Sequence, residues 1–185
     1  MGAKRNRKEL GAAWAADELV LLRRNIWKAD VLEGFVVDLD EDWVVLHIVY
    51  DVGLNGWSAV RLDTIRTVER EPANSFLARA LAQFGEQPAP VLVDLSSGRD
   101  AIRSLATTFP LLTVFTEAHD PRTAAVGRPV RTGRNKVDLL EITADGTWDG
   151  SDPRRIRYED ITRIDVGGRY EQALHELGGY PPVPD

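Results

Sequence analysis

Two halves of the sequence resemble each other, and this internal repeat constrains the fold more than any other feature. Residues 61–68 and 157–164 both read Arg, apolar, acidic, polar, Ile, two polar or basic residues and a β-branched residue. Downstream, residues 80–85 and 173–178 share the pattern Ala-Leu, three variable residues and Gly. An aromatic residue precedes each of these segments: Phe76 and Tyr170. The chain is therefore predicted to fold as two related halves.

Each half is predicted to consist of short strands followed by one helix. The predicted strands of the first half cover residues 31–39, 43–50, 57–62 and 65–69. Those of the second half cover residues 125–131, 137–143, 155–158 and 161–166. The predicted helices run from Asn74 or Ser75 to Phe84 and from Tyr170 to Leu177. Because Asn-Gly favours a tight hairpin, residues 53–56 are expected to form a turn.

The spacing of these strands predicts the fold class. Gly34 interrupts the first strand of the first half, and Gly127 lies at the corresponding place in the second. Glycine inside a strand indicates a bulge or a strong bend. We therefore expect an α+β, β-rich fold with two related small, curved antiparallel barrels, each followed by a short helix. An αβ insert is expected to join them, with a strand at 91–95, a helix capped by Ser97 and a strand at 111–117.

Five segments are expected along the chain. Residues 1–10 are predicted to be a disordered basic arm. The following segments are the first barrel half with its flanking helices at 11–88, the αβ insert at 89–118, the second barrel half with its helix at 119–179 and a proline-rich tail at 180–185. Residues 9–24 have helical composition, although residues 19–22 could equally be a strand.

The bent first strand, the long apolar second strand, the hairpin and a final strand with Ile65 and Val68 resemble the Sm-like, SH3-type small barrel. In Sm proteins that bind RNA, an Asp-x-apolar-Met-Asn motif and a later Arg-Gly contact the nucleic acid. The nearest stretch here, residues 40–45, has no Met-Asn, and no Arg-Gly follows Ile65. The resemblance therefore implies the fold without the RNA contacts.

Most of the chain also resembles a group of uncharacterised bacterial proteins. The residues that carry this resemblance are 32–37, 43–47, 160–165 and 168–171. This resemblance supports the fold and implies no activity.

Composition and charge exclude several classes of function. The chain has no cysteine, which excludes disulfides, cysteine-ligated zinc and thiol catalysis and suits a reducing, cytoplasmic compartment. Its apolar runs are too short for a membrane helix. Residues 1–10 carry four basic side chains and one acidic side chain, which is a net charge of +3. Because the whole chain carries −6, the remaining residues carry −9. An acidic body repels phosphate backbones over long range, but nucleic acid could still bind the basic residues of the arm: Lys4, Arg5, Arg7 and Lys8.

No catalytic or metal-binding motif is recognised. The chain lacks a nucleophile elbow, a phosphate-binding loop and a dinucleotide fingerprint. The acids at 38, 40 and 42 alternate as in a calcium loop, but Trp43 and Val49 stand where that loop needs Gly and Glu. The three histidines do not cluster in the sequence: His47, His119 and His175. We therefore predict no metal, no cofactor and no enzymatic activity.

The aromatic and arginine residues predict a partner surface. Trp57 and Trp148 lie beside corresponding hairpins, where they would either plug a barrel end or contact a partner. Trp, Tyr and Arg dominate binding hot spots. The predicted partner-binding residues are Trp57, Trp148, Arg155, Arg169 and Tyr180.

These observations predict a non-catalytic protein-interaction module, such as an adaptor, an assembly factor or an inhibitor of a partner protein. One alternative is a nucleic-acid-binding protein that uses the basic arm. The other is an enzyme whose acidic residues come from distant segments. A homodimer formed through an exposed sheet edge is compatible with each.

Overall fold

The computed structural model describes residues 2–117, 124–150 and 152–181. The chain divides into two compact units, Met1–Val91 and Leu92–Asp185. None of the helices in the described part of the chain is long and apolar enough to cross a membrane.

The first unit has two helices and five strands. Its elements are α1 (Gly2–Ala15), β1 (Leu19–Arg24), β2 (Leu32–Leu39), β3 (Trp43–Tyr50), β4 (Gly53–Arg61), a 3₁₀ turn (Leu62–Thr64), β5 (Ile65–Arg70) and α2 (Phe76–Gln83). The strands lie in the order β5-β1-β2-β3-β4, and each neighbouring pair is antiparallel.

The second unit has the same succession of elements. They are α3 (Gly98–Thr108), β6 (Leu112–Phe115), β7 (Ala124–Thr132), β8 (Lys136–Glu141), β9 (Arg154–Arg157), a 3₁₀ turn (Tyr158–Asp160), β10 (Arg163–Val166) and α4 (Arg169–Gly178). The strands lie in the order β10-β6-β7-β8-β9, and all of these pairs are antiparallel.

The prediction of two small curved barrels is wrong. The antiparallel sheet formed by the ten described strands is open, because β4 does not pair with β5 and β9 does not pair with β10. The barrel that the Sm-like resemblance implied is therefore wrong as well. Strand lengths and glycine bends are local properties, whereas closure depends on pairing between strands that are distant in sequence.

The prediction of an αβ insert between the two halves is also wrong. Helix α3 and strand β6 belong to the second unit, where β6 pairs with β7 and β10. No strand forms at the described residues 91–95. The predicted cap of the helix is confirmed, because the Ser97 hydroxyl accepts a hydrogen bond from the Asp100 N–H at 3.1 Å.

The N-terminal residues differ from the expected disordered arm. They lie in α1, whose inward side buries Asn6, Leu10 and Ala13. The Asn6 side-chain amide donates to the Ile65 carbonyl at 2.8 Å. These three residues recur at helical spacing among the charges, and this narrow inward stripe anchors the segment. The alternatives for residues 9–24 are settled, since the helix ends at Ala15 and a strand follows it.

The hairpin between β3 and β4 turns earlier than predicted. Tyr50 pairs with Gly53, so the turn is Asp51-Val52, and Asp51 has a φ of 56°. Gly56 (φ 70°) lies inside β4 at a shift of register. The Asn-Gly pair therefore forms a bulge in place of the predicted turn.

Both faces of the first sheet are covered by helices. Between α1 and the sheet lies a core that includes Leu10, Val20, Val44, Leu46 and Val60. A smaller cluster of Leu19, Val49 and Leu81 packs α2 against the opposite face, because neighbouring strand residues point to opposite sides. In the second unit, Leu174 of α4 packs against Leu111 and Ile142.

Candidate functional site

Trp57 holds the chain that follows α2. It lies on β4, opposite His47 of β3, and the two rings stack with centroids 4.6 Å apart and planes inclined by 12°. The Trp57 indole N–H donates to the Ala89 carbonyl at 2.9 Å. The Ala89 N–H in turn donates to Nδ1 of His47 at 3.0 Å. Both backbone polar groups of Ala89 are therefore bound by side chains of this pair.

The environment of His47 favours its neutral form. Burial lowers the pKa of His47 below the ordinary histidine value, and the carboxylate of Glu86 opposes this effect more weakly. Glu86 itself accepts a hydrogen bond from the Leu54 N–H at 3.3 Å. Sequence analysis treated His47 only as an isolated histidine, because its partner Ala89 is distant in sequence.

Trp148 has a comparable anchoring contact in the second unit. It follows β8, pairs with Ile142 as an isolated bridge and packs beside Leu174. Its indole N–H donates to the Gly178 carbonyl at the end of α4, at 3.1 Å. Both tryptophans predicted to bind a partner thus use their indole N–H inside their own unit.

Tyr180 lies close to the same helix end and is exposed. Its ring meets the His175 ring edge-on at 4.7 Å, and the Arg128 guanidinium lies 5.2 Å from its centroid. Nδ1 of His175 contacts the Gly179 carbonyl at 3.2 Å, so this nitrogen acts as the donor. Trp148 and Tyr180 therefore both border the C-terminal end of α4.

The two predicted arginines lie elsewhere. Arg155 of β9 pairs with Asp138 of β8 at 3.1 Å, and Arg169 is the exposed first residue of α4. Trp57 belongs to the first unit and the other four residues to the second. Of the four in the second unit, Trp148 and Tyr180 both lie at the C-terminal end of α4.

Sequence analysis missed the exposed apolar residues of α2 and α4. In α2, the side chains of Phe76 and of Phe84, the residue that ends the helix, are 78% and 66% exposed. In α4, Tyr170 and Leu177 are 53% and 80% exposed. They lie outside the buried faces, which carry Leu81 and Leu174. The sequence indicated these residues in two ways. Phe76 and Tyr170 are the aromatic residues before the two Ala-Leu segments, and Phe84 and Leu177 are the bulky residues before the glycines that end them.

The basic residues of α1 form a second candidate surface. All four of them are exposed: Lys4, Arg5, Arg7 and Lys8. Buried Asn6 and Leu10 define the opposite side of the helix. The helix thus presents positive charge to solvent.

No metal site is found among the described residues. That part of the chain contains no group of three His, Asp or Glu side chains placed to hold a metal ion. A polar cleft lined by Leu140, Glu141, Asp149, Asp152 and Arg154 has a volume of about 10 Å³, room for roughly one water. His119 and the tail residues 182–185 lie outside the described residues.

Comparison with models of protein families, with curated proteins and with solved structures found no match. The resemblance to a group of uncharacterised bacterial proteins stays a prediction.

Proposed function

We propose that this chain is a non-catalytic protein-interaction module, acting as an adaptor, an assembly factor or an inhibitor of a partner protein. The observation that carries the proposal is the exposure of large apolar side chains on α2 and α4. In each helix one face is buried in its own unit while bulky side chains on another remain in water. The two helices follow corresponding strands, and we propose that the halves derive from one repeat.

The physical basis of this proposal is the favourable free energy of removing such side chains from water when a partner covers them. Burying a phenylalanine or leucine side chain contributes about 1.5–3 kcal/mol. Phe76 and Phe84 flank one helix, so a partner that covers both would gain from each. Aromatic anchors of this kind are typical of binding hot spots. We accordingly propose a partner-binding surface on α2 in the first unit and another on α4 in the second, with Tyr180 near the end of α4.

The test is capture from the native lysate by the tagged full chain, scored for bound protein and bound nucleic acid together. The Phe76→Ser, Phe84→Ser double variant is expected to lose its protein partner by at least about tenfold. The matched control is Trp27→Ser, because Trp27 is an aromatic residue of the same unit that is 74% exposed and lies outside α2. Equal capture by the wild type and the double variant would contradict the assignment to α2.

The second candidate function is nucleic-acid binding through α1. Its support is the exposure of all four basic side chains on one helix. Such binding would weaken steeply with salt. Recovery of nucleic acid in place of protein, lost when Lys4 and Arg5 are replaced by Glu, would favour this candidate over the first.

The compartment and the assembly state belong to the same proposal. We propose a cytoplasmic location, because a cysteine-free chain suits a reducing compartment. A homodimer remains compatible with either function, and the mass of the purified protein in solution tests it.

A further inference from the structure

We propose that His47 is a pH-operated latch on residues 87–90, the segment through which the chain leaves the first unit. Neutral His47 holds this segment against β3 and β4, and protonated His47 releases it. The inference does not rest on the proposed function.

The latch depends on a hydrogen bond that only neutral histidine can make. The Ala89 N–H donates to Nδ1 of His47 at 3.0 Å. A ring nitrogen accepts a hydrogen bond only when it carries no proton, so the proton of neutral His47 must be on Nε2. Protonation would place an N–H on Nδ1, and two donors would then face each other.

The segment is tied independently at Glu86, whose N–H donates to the Leu81 carbonyl at 2.9 Å, so His47 acts on residues 87–90. Residues 86–95 form neither helix nor strand. Pro88 and Pro90 have no N–H, so Ala89 supplies the only backbone donor of residues 88–90. In the remaining bond described at Ala89, the Trp57 indole N–H donates to the Ala89 carbonyl. Losing the His47 bond therefore removes one of the two bonds that hold Ala89.

Burial, opposed by one nearby carboxylate, sets the direction of the response of His47 to pH. The residues opposite it on β2 and β4 are Phe35 and Trp57, which carry no charge. From the segment after α2, Glu86 favours the protonated form. Burial disfavours that form and has the larger effect, so the pKa of His47 lies below its ordinary value.

The sign of the pH dependence follows from this direction. The latched state binds the proton of His47 less readily than the released state does, so acid favours release. The segment is fully latched at pH values above the ordinary histidine pKa of about 6.5. It is lost as the pH falls from there through the lower pKa of the latched state. Release would free the Ala89 backbone groups and the Trp57 indole N–H for other contacts.

The test is amide hydrogen exchange at Ala89 in the full chain, followed by NMR between about pH 5 and about pH 7.5 and corrected for the intrinsic rate. In the wild type, protection of Ala89 is expected to fall by about tenfold or more toward the acidic end. The matched variant is His47→Asn, because the side-chain oxygen of Asn replaces Nδ1 as the acceptor and does not titrate. Its protection is expected to stay constant. His175→Asn should behave as the wild type does.

Two results would overturn the latch. One is a wild-type protection of Ala89 that does not change with pH. The other is an equal fall in the wild type and in His47→Asn. If that variant does not fold, the ring nitrogens of His47 in the wild type decide: a protonated Nδ1 at neutral pH, or a pKa at or above the ordinary histidine value, rejects the proposal.

Discussion

The two units use the same succession of elements but hold the chain after their last helix in different ways. In the first unit, His47 and Trp57 together bind both backbone groups of Ala89. In the second, Trp148 binds the Gly178 carbonyl at the helix end. The position that corresponds to His47, 93 residues later, is occupied by Leu140. The two units therefore have the same strand order, whereas the hydrogen bond from Ala89 to His47 has no counterpart at Leu140.

The histidines of the two units also act in opposite senses. His47 accepts a hydrogen bond at Nδ1, whereas Nδ1 of His175 faces the Gly179 carbonyl and must donate. Protonation of Nδ1 would remove the first bond, because a protonated ring nitrogen cannot accept a hydrogen bond. The two histidines thus differ in the backbone group that each one meets, which is an N–H at His47 and a carbonyl at His175.

The largest expected effect tests whether the two cores are equivalent. Leu46 of β3 and Leu139 of β8 occupy corresponding positions, and both are fully buried. Each change to alanine removes buried methyl groups and leaves a cavity, so each should lower the free energy of unfolding by about 3 kcal/mol. Urea denaturation measures both. A large cost in one unit with a cost below about 1 kcal/mol in the other would show that the cores are not equivalent.

A slightly smaller effect is expected at the paired glycines. An alanine Cβ at Gly34 would overlap the His47 carbonyl, and one at Gly127 would overlap the Leu140 carbonyl. Gly34→Ala and Gly127→Ala should each cost about 2–3 kcal/mol, because the neighbouring strand must move.

The control for the paired glycines is Gly150→Ala. No atom lies within 4 Å of a Cβ at Gly150, so its free energy of unfolding should change by less than about 0.5 kcal/mol. If the glycine variants match this control, close strand approach is not the reason for glycine at 34 and 127.

The sequence predicted the local elements better than their assembly. The run at 43–50, apolar except for His47, predicted β3 to the residue, because a strand covered on both faces needs apolar side chains at most positions. The predicted turn at 53–56 was wrong because Asn-Gly also suits a bulge, and only the pairing of Tyr50 with Gly53 decides between them. The barrels were wrong because the sequence contains no local sign of whether β4 meets β5.

The candidate site was predictable only in part. Trp57 and Trp148 were selected as aromatic residues, but their indole N–H groups are bound to carbonyls about 30 residues away. Such contacts leave no periodic pattern in the sequence. Phe84 and Leu177 were overlooked because a bulky residue before a glycine indicates the end of a helix without showing whether its side chain is buried.

The smallest expected effect distinguishes the two tryptophan contacts. Trp57→Phe and Trp148→Phe each keep an aromatic ring and remove one indole N–H. At about pH 7.5 each should lower the free energy of unfolding by about 1 kcal/mol, the net contribution of one hydrogen bond. The free energies come from urea denaturation at about pH 7.5 and at about pH 5.

The losses of unfolding free energy caused by Trp57→Phe and Trp148→Phe should become unequal as the pH falls. If protonation of His47 releases residues 87–90, the Trp57 bond to Ala89 is already weakened in acid, and Trp57→Phe should cost less at about pH 5 than at about pH 7.5. The contact of Trp148 with Gly178 involves no histidine, so Trp148→Phe should cost the same at both pH values. In the His47→Asn background the cost of Trp57→Phe should also become independent of pH. A cost of Trp57→Phe that is equal at both pH values in the wild type would mean that Trp57 holds Ala89 whatever the charge of His47, and that the two units anchor their chains by one mechanism.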